Sequence, residues 1–432
     1  MKFGGASLLN PDAIRNVGRI IRDHLPGPSA IVVSAMAKTT NALDELARLA
    51  ADTRQQEAKA QMARIKGFHH QAIQALFEGE LRTDVQHQVD AIFRDLERVI
   101  QGILLLEDFP KRFSDYILSF GELLSSTILF NHLKATGLPI VWIDARELIR
   151  TDSEYNAANV LWSQTEENIR RLVGRTLEGG ELVITQGFIG ANSEGYTTTL
   201  GREGSDYTAA ILAYALRAGK VTIWKDVPGV MTGDPRKYSE ATLIQALSYE
   251  MAVEMTFYGA SVIHPKTIKP LQNLNIPLRV RSFNDPAAEG TTVSSAEDLP
   301  PEYSPPEIRL VQTDSALIRI RPRDFSFMDH RRMREVFALC VRAGVDIRLL
   351  QTTAISLELV AKNEPEALMA VMALLEEQFV AELLAPVRLT TFLNRQTPVD
   401  QEERADRALL FQADQGRIHL VEPWQPTDNP LG

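Results

Sequence analysis

The order of elements along the chain predicts an α/β protein built on a mostly parallel sheet and followed by a smaller α+β domain. Three observations carry this expectation. Short apolar, β-branched runs alternate with helix-like segments as far as Ser282, a Pro-rich polar stretch then breaks the rhythm, and a second series beyond it reads βαββαβ. The chain is long enough for two or three domains, with 432 residues, of which 44% are hydrophobic and 24% charged. A formal charge of −10 argues against nucleic-acid or membrane-surface partners, which call for clustered Lys and Arg. The single Cys340 excludes a disulfide framework and a multi-thiolate metal site. No apolar run reaches the roughly 20 residues of a bilayer span, and the start, Met1-Lys2-Phe3-Gly4-Gly5, has no apolar signal core, so a cytoplasmic location is expected.

In chain order, residues 30–34 read as a short buried strand. The Gly- and Pro-poor run from Thr53 to about Leu106 reads as two consecutive amphipathic helices. Helix is predicted at Phe120–Ala135, strand at Ile140–Ile143, helix at Thr165–Leu177 and strand at Glu181–Thr185. The series goes on with helix Ser205–Leu216, strand Val221–Trp224, helices Met251–Tyr258 and Pro265–Asn273, and strand Leu278–Ser282. Residues 284–306 carry Pro286, Pro300, Pro301, Pro305 and Pro306 and read as a linker. The second series comprises Ala316–Ile320, Arg331–Ala343, Val345–Leu350, Ile355–Val360, Pro365–Gln378 and Val387–Phe392, a ferredoxin-like order. Residues 396–432 have apolar stretches only at Ala408–Phe411 and Ile418–Val421, enough for a hairpin. The expected domains are therefore 1–283, a linker at 284–306, 307–395, and a partial unit or tail at 396–432.

Several segments carry chemistry. Lys2 with Gly4 and Gly5 puts a cation and close-approach glycines at the end of a strand, which suits a phosphate as well as a plain glycine turn. Gly187 to Asp206 is a Gly-rich strand-to-helix connection ending Gly201-Arg202-Glu203-Gly204-Ser205-Asp206. Ser205 is expected as the N-cap, with Asp206 in the first turn. Gly190 to Thr197 has the glycine spacing of a Walker loop, but Tyr196 stands where its lysine must be. Lys225-Asp226-Val-Pro-Gly and Asp234-Pro-Arg236 follow a strand, either as two turns or as a nucleotide segment at a carboxyl edge. Gly121-Glu122 is expected to open a helix, where Glu122 could serve only as a first-turn acid. His69 and His70 lack ligand-spaced companions, and Cys340 falls on an apolar helix face as a core residue.

In order, these segments resemble the signatures of the aspartate kinases, in the amino-acid kinase superfamily. The resemblance runs through Lys2-Phe3-Gly4-Gly5, Ser34-Ala-Met-Ala-Lys-Thr-Thr40-Asn41, Gly121-Glu122, Thr185-Gln-Gly-Phe-Ile-Gly190, Thr198-Thr-Leu-Gly-Arg202-Glu-Gly-Ser205-Asp206 and Lys225-Asp226. It implies a three-layer αβα kinase domain, a C-terminal ACT domain, and ATP-dependent phosphorylation of the L-aspartate side chain, the step that opens lysine, threonine and methionine biosynthesis. It implies Lys2 and Asp206 at the transferring phosphoryl group. Ser34, Thr40, Glu122, Arg202 and Ser205 would hold aspartate, Glu122 taking the ammonium and Arg202 a carboxylate. Lys2, Phe3, Gly4, Gly5, Lys225, Asp226, Arg236, Ser261 and Val262 would face ATP. Mg²⁺ is the implied cofactor, with no side chain assigned as its ligand. The resemblance also implies a homodimer through ACT domains and an amino-acid effector there, although Arg348 and Arg331 stand where effector-binding members carry an acid and a glycine. Ser261 occupies a lysine position, and with the short first strand it motivates a second reading, a catalytically weak amino-acid-sensing subunit on the same scaffold.

Overall fold

The computed structural model describes residues 1–25, 27–260, 263–395, 408–414 and 416–425. It divides into two compact units: Met1–Val230, Gln245–Tyr249 and Val262–Pro300 in one, and Met231–Ile244, Glu250–Ser261 and Pro301–Gly432 in the other. The border in space is thus not one cut in the sequence, since two stretches numbered inside the expected 1–283 domain cluster with the C-terminal unit.

The first unit is organised by strands β1 (Lys2–Phe3), β2 (Ala30–Val33), β3 (Ile140–Trp142) and β4 (Leu182–Gln186), a small ribbon of β5 (Ile189–Ala191) and β6 (Thr197–Thr199), then β7 (Val221–Lys225), β8 (Ala246–Ser248), β9 (Leu278–Ser282) and β10 (Thr291–Ser294). The main sheet has the order β3-β4-β2-β1-β7-β9-β10-β8, parallel throughout except where β10 runs against β9. β10 corrects the expectation that 284–306 only links. Its Thr291, Val293 and Ser294 are buried, and Thr-Thr-Val-Ser, with a single apolar residue, was too short and too polar to stand out among the prolines.

Its helices are α1 (Pro11–His24), α2 (Thr39–Ala51), α3 (Gln55–Leu76), α4 (Gly79–Leu106), α5 (Lys111–Ala135), α6 (Ala145–Leu148), α7 (Trp162–Ile169), a π-turn at Arg170–Gly174 leading into α8 (Arg175–Glu178), and α9 (Gly204–Leu216). They are followed by α10 (Tyr249–Phe257), which begins at the unit border, and α11 (Pro265–Gln272). Parallel strands buried on both faces tend to read as continuous apolar runs, as Leu182-Val183-Ile184 does at the start of β4, whose five residues are all buried. Asn10 caps α1, its side chain accepting from the Ala13 amide with Pro11 at the first helical position.

α5 corrects one sequence expectation with functional weight. It starts at Lys111, behind Pro110, so Glu122 lies mid-helix and is not a first-turn acid. Gln186 and Trp142 fasten the helix to the sheet, both donating to the Ser126 hydroxyl at 2.8 and 3.0 Å.

The second unit holds β11 (Ile308–Pro322), α12 (His330–Ala343), β12 (Ile347–Thr352), β13 (Leu357–Lys362), α13 (Pro365–Leu375) and β14 (Phe379–Leu393), then β15 (Leu410–Asp414) and β16 (Arg417–Pro423). The sheet order β12-β13-β11-β14-β16-β15 contains the ferredoxin-like arrangement, extended by the β15–β16 hairpin. β11 and β14 run far beyond their predicted apolar cores because polar residues such as Gln312 and Glu382 continue the ladder. Val336, Cys340, Leu368 and Val371 pack α12 and α13 on one sheet face, and burial there pushes the Cys340 thiol up to about 11. Arg331 is the second residue of α12. Arg348 on β12 is held by the Asp314 carboxylate at 2.8 and 2.9 Å and the Ser315 hydroxyl at 2.7 Å.

Candidate active site

The carboxyl ends of β1, β2, β4 and β7 open onto a cavity of about 530 Å³ in the first unit. The loops leave the sheet there in register: Ser34 N–H donates to the Phe3 carbonyl and Gly187 N–H to the Val33 carbonyl. Crevices at this edge are the usual ligand sites of open α/β sheets.

Lys2 and Lys225 come from strand ends and meet Asp206 in the first turn of α9. Lys2 Nζ lies 2.5 Å from Asp206 Oδ1 and Lys225 Nζ 3.3 Å from Oδ2. Burial alone would raise the Asp206 pKa, but the two ammonium groups hold it below the ordinary carboxylate value. The trio therefore keeps one net positive charge at the end of a 13-residue helix whose amide dipoles also point positive.

Glu122 enters from the opposite wall. It is 3% exposed, its Oε1 accepts from the Ala35 amide at 3.1 Å, and its Oε2 is buried with no hydrogen-bond partner among the described residues. Burial pushes its pKa up to about 8, against the Ala35 amide and the charge of Lys2, which lower it. Gly121 makes this approach possible, since a Cβ there would stand 2.8 Å from that of Ala35. An unpartnered carboxyl oxygen at the wall of a cavity is suited to receiving an ammonium group.

Ser34, Thr40, Arg202, Ser205 and Gly5 also line the cavity. Ser205 sits beneath Gly187, where a Cβ would come within 2.4 Å of the serine Cβ, so only glycine lets the β4 turn lie on the start of α9. Ser205 is not the N-cap. Glu203 takes that position in the left-handed region with φ 54°, and no side chain caps the helix. α9 starts at Gly204, one residue earlier than expected, so Ser205 is already its second helical residue.

Not every sequence-predicted residue joins the cavity. Phe3 is fully buried and stacks on Trp224 at 6.1 Å, a core residue drawn inward by strand alternation. Gly4 lies beside Lys2, where a Cβ would stand 3.4 Å from Nζ, but it is not part of the lining. Asp226 is exposed beyond the end of β7. Arg236 belongs to the second unit, where Asp234 holds its guanidinium at 3.0 Å. Ser261 and Val262 lie outside the described residues. The lining also includes Asn156, Phe188, Thr199 and Glu203, which sequence reasoning did not single out. Phe188 and Glu203 sit inside quoted signatures, where their positive φ of 69° and 54° could not be read from the letters. Asn156 comes from a polar loop with no sequence signal.

Residues 1–282 match the model of the amino acid kinase family. The chain belongs to that family. Aspartokinases are among the relatives it matches. Lysine-sensitive aspartokinase 3 of Escherichia coli is 33% identical over 366 residues, 83% of this chain and 77% of that protein. A bifunctional aspartokinase/homoserine dehydrogenase 2 of Zea mays is 34% identical over 293 residues, and the chain spans only 32% of that relative's length. Among solved structures, E. coli aspartokinase III in complex with aspartate and ADP superimposes with a TM-score of 0.80 at 26% identity, covering 98% of this chain and 95% of that one. The family's kinase fold with a C-terminal ACT-like domain is the architecture described above.

Proposed function

We propose that this amino acid kinase phosphorylates the side-chain carboxylate of L-aspartate with ATP, giving 4-phospho-L-aspartate and ADP, the step that opens lysine, threonine and methionine biosynthesis. The observation that carries the reading is one cavity holding a buried carboxyl on one wall, an arginine in its lining, and the Lys2–Asp206–Lys225 cluster at a helix N-terminus. The E. coli relative solved with aspartate and ADP supports the same substrates here.

The chemistry needs position and charge more than proton transfer. A carboxylate acceptor with an ordinary pKa near 3.9 is already ionised at neutral pH, so no general base is required. One of its oxygens attacks the γ-phosphorus in line, and the bond from phosphorus to the bridging oxygen of ADP breaks. Lys2 and Lys225 offset the repulsion between the two anions, and Asp206 fixes both ammonium groups so that they need not reorganise. Glu122 takes the α-ammonium and Arg202 the α-carboxylate, leaving the side chain to reach toward Lys2, while Ser34, Thr40 and Ser205 offer hydroxyls along the way. Gly5 lets the phosphates approach the backbone. Mg²⁺ neutralises the phosphates when bound. Asp206 is already held by two lysines, and among the described residues no three His, Cys, Asp or Glu side chains stand together, so the phosphate oxygens and water would supply most of its ligands. We extend the proposal to an amino-acid effector at the ACT-like sheet and to a homodimer through it, which light scattering would test by giving twice the 48.2 kDa chain mass.

The deciding assay measures ADP release from Mg·ATP with and without L-aspartate, with hydroxylamine present to trap the acyl phosphate. Aspartate-dependent release with hydroxamate formation is expected, and glutamate should give little. Release that ignores aspartate, or that glutamate supports equally, would overturn the assignment.

A further inference from the structure

α5 carries a second carboxylate that the mechanism above leaves unused. Asp115 lies two helical turns before Glu122, so both project from one helix face. Its side chain is fully buried, and no Lys or Arg is paired with it among the described ion pairs. Three donors converge on it. The Asn156 amide reaches both carboxylate oxygens at 3.0 Å, the Thr199 amide reaches Oδ2 at 2.8 Å, and the Thr199 hydroxyl reaches Oδ1 at 2.8 Å. Burial still raises the Asp115 pKa against those donors.

The partners, not the acid itself, line the cavity: Asn156 and Thr199 both do, and Thr199 begins the short run to Gly201 and Arg202. The two loops are also stitched to each other. The Ala158 amide donates to the Thr199 carbonyl at 2.9 Å, and Asn156 adopts a left-handed φ of 72° that this anchoring must hold. Gly201, at φ 78°, lies so close to Asn156 that a Cβ would come within 3.2 Å of its carbonyl oxygen. One rigid helix thus presents Glu122 directly and, through Asp115, fixes the wall from which Arg202 rises.

We infer that Asp115 is a positioning residue that sets the spacing between the ammonium-binding Glu122 and the carboxylate-binding Arg202, and so the length of amino acid the site accepts. The inference rests on the amino-acid kinase reading above. A bidentate carboxylate can take three donors at once, whereas an amide at the same place turns one acceptor into a donor facing the Thr199 or Asn156 N–H.

The test is steady-state kinetics of D115N beside the wild type, with aspartate, glutamate and ATP each varied and thermal unfolding measured in parallel. The expected result is a rise of about tenfold or more in KM for aspartate, with KM for ATP within about twofold and the aspartate-to-glutamate preference reduced. A KM for aspartate unchanged in a folded D115N enzyme overturns the inference, as does a parallel rise in both KM values, which a merely structural role would give. T199V removes only the hydroxyl donor and should shift KM for aspartate in the same direction by less. If D115N does not fold, T199V carries the test, and an unchanged KM for aspartate there counts against the inference. The wild-type panel separates the two claims. No turnover of aspartate by the wild type refutes the proposed function, whereas normal wild-type turnover with an unshifted D115N refutes the role of Asp115.

Discussion

Replacing Glu122 by glutamine should make the protein more stable and less active at once. The carboxyl is buried, its Oε2 has no partner among the described residues, and its pKa rises from 4.5 to about 8. At about 1.4 kcal/mol per pKa unit, that rise corresponds to about 5 kcal/mol of preference for the protonated form in the free enzyme. Between these pH values the folded chain keeps a proton that the unfolded chain has released. Stability from this group is therefore fully present below pH 4.5 and is lost as pH rises toward 8, by about 1.4 kcal/mol per pH unit. The side-chain amide in E122Q is neutral at every pH and free of that slope. Urea unfolding at pH 5, 6, 7 and 8 should show E122Q close to the wild type at the acid end and gaining on it steadily, reaching several kcal/mol at pH 8. The same variant should raise KM for the amino acid by about a hundredfold, because an amide cannot pair with the substrate ammonium. In the wild type that KM should fall as pH approaches 8, since ionising Glu122 prepares the site. Parallel pH slopes for the two proteins would refute the burial argument, and an unchanged KM would refute the ammonium assignment.

Three further outcomes follow from the same geometry. Lys2→Ala and Asp206→Ala should each lower kcat by about three orders of magnitude in folded protein, because each dismantles the bridge between Lys2 Nζ and Asp206 Oδ1, and near-normal turnover in either would remove the assigned roles. Gly187→Ala places a Cβ 2.4 Å from that of Ser205, so it should cost about 3 kcal/mol or more in unfolding free energy together with most activity, and a denaturation curve matching the wild type would contradict the close approach. Glu203→Gly should raise stability by about 1 kcal/mol by relieving φ 54°, read as a higher Tm, while Glu203→Gln, which keeps the backbone strain, should not.

Much of this site was legible in the letters because it is built from local chemistry. A lysine and glycines at a strand end, Gly187 at a tight turn, and Asp206 in the first turn after a glycine run each follow from what short segments can do. The order of apolar runs foretold a mostly parallel sheet followed by a ferredoxin-like series, because burial on both faces writes continuous apolar strands and their connections write amphipathic helices. Glu122 was named by its motif but placed at a helix start, since the mixed polar and apolar stretch Lys111–Ser119 hides the first turns of α5. The resemblance grouped Phe3 and Arg236 with the nucleotide. Strand alternation turned Phe3 into the core, and chain topology put Arg236 in the other unit.

The sequence by itself determined which residues could carry charge to a phosphoryl group, because residue type and local backbone freedom are properties of short stretches. Only the tertiary structure decided which of them meet, that Glu122 sits in a dry wall with an unpaired oxygen, and that Asp115 anchors the loop carrying Arg202. Desolvation and hydrogen-bond closure depend on groups far apart in the chain, 84 positions between Asp115 and Thr199, and no local pattern encodes that distance.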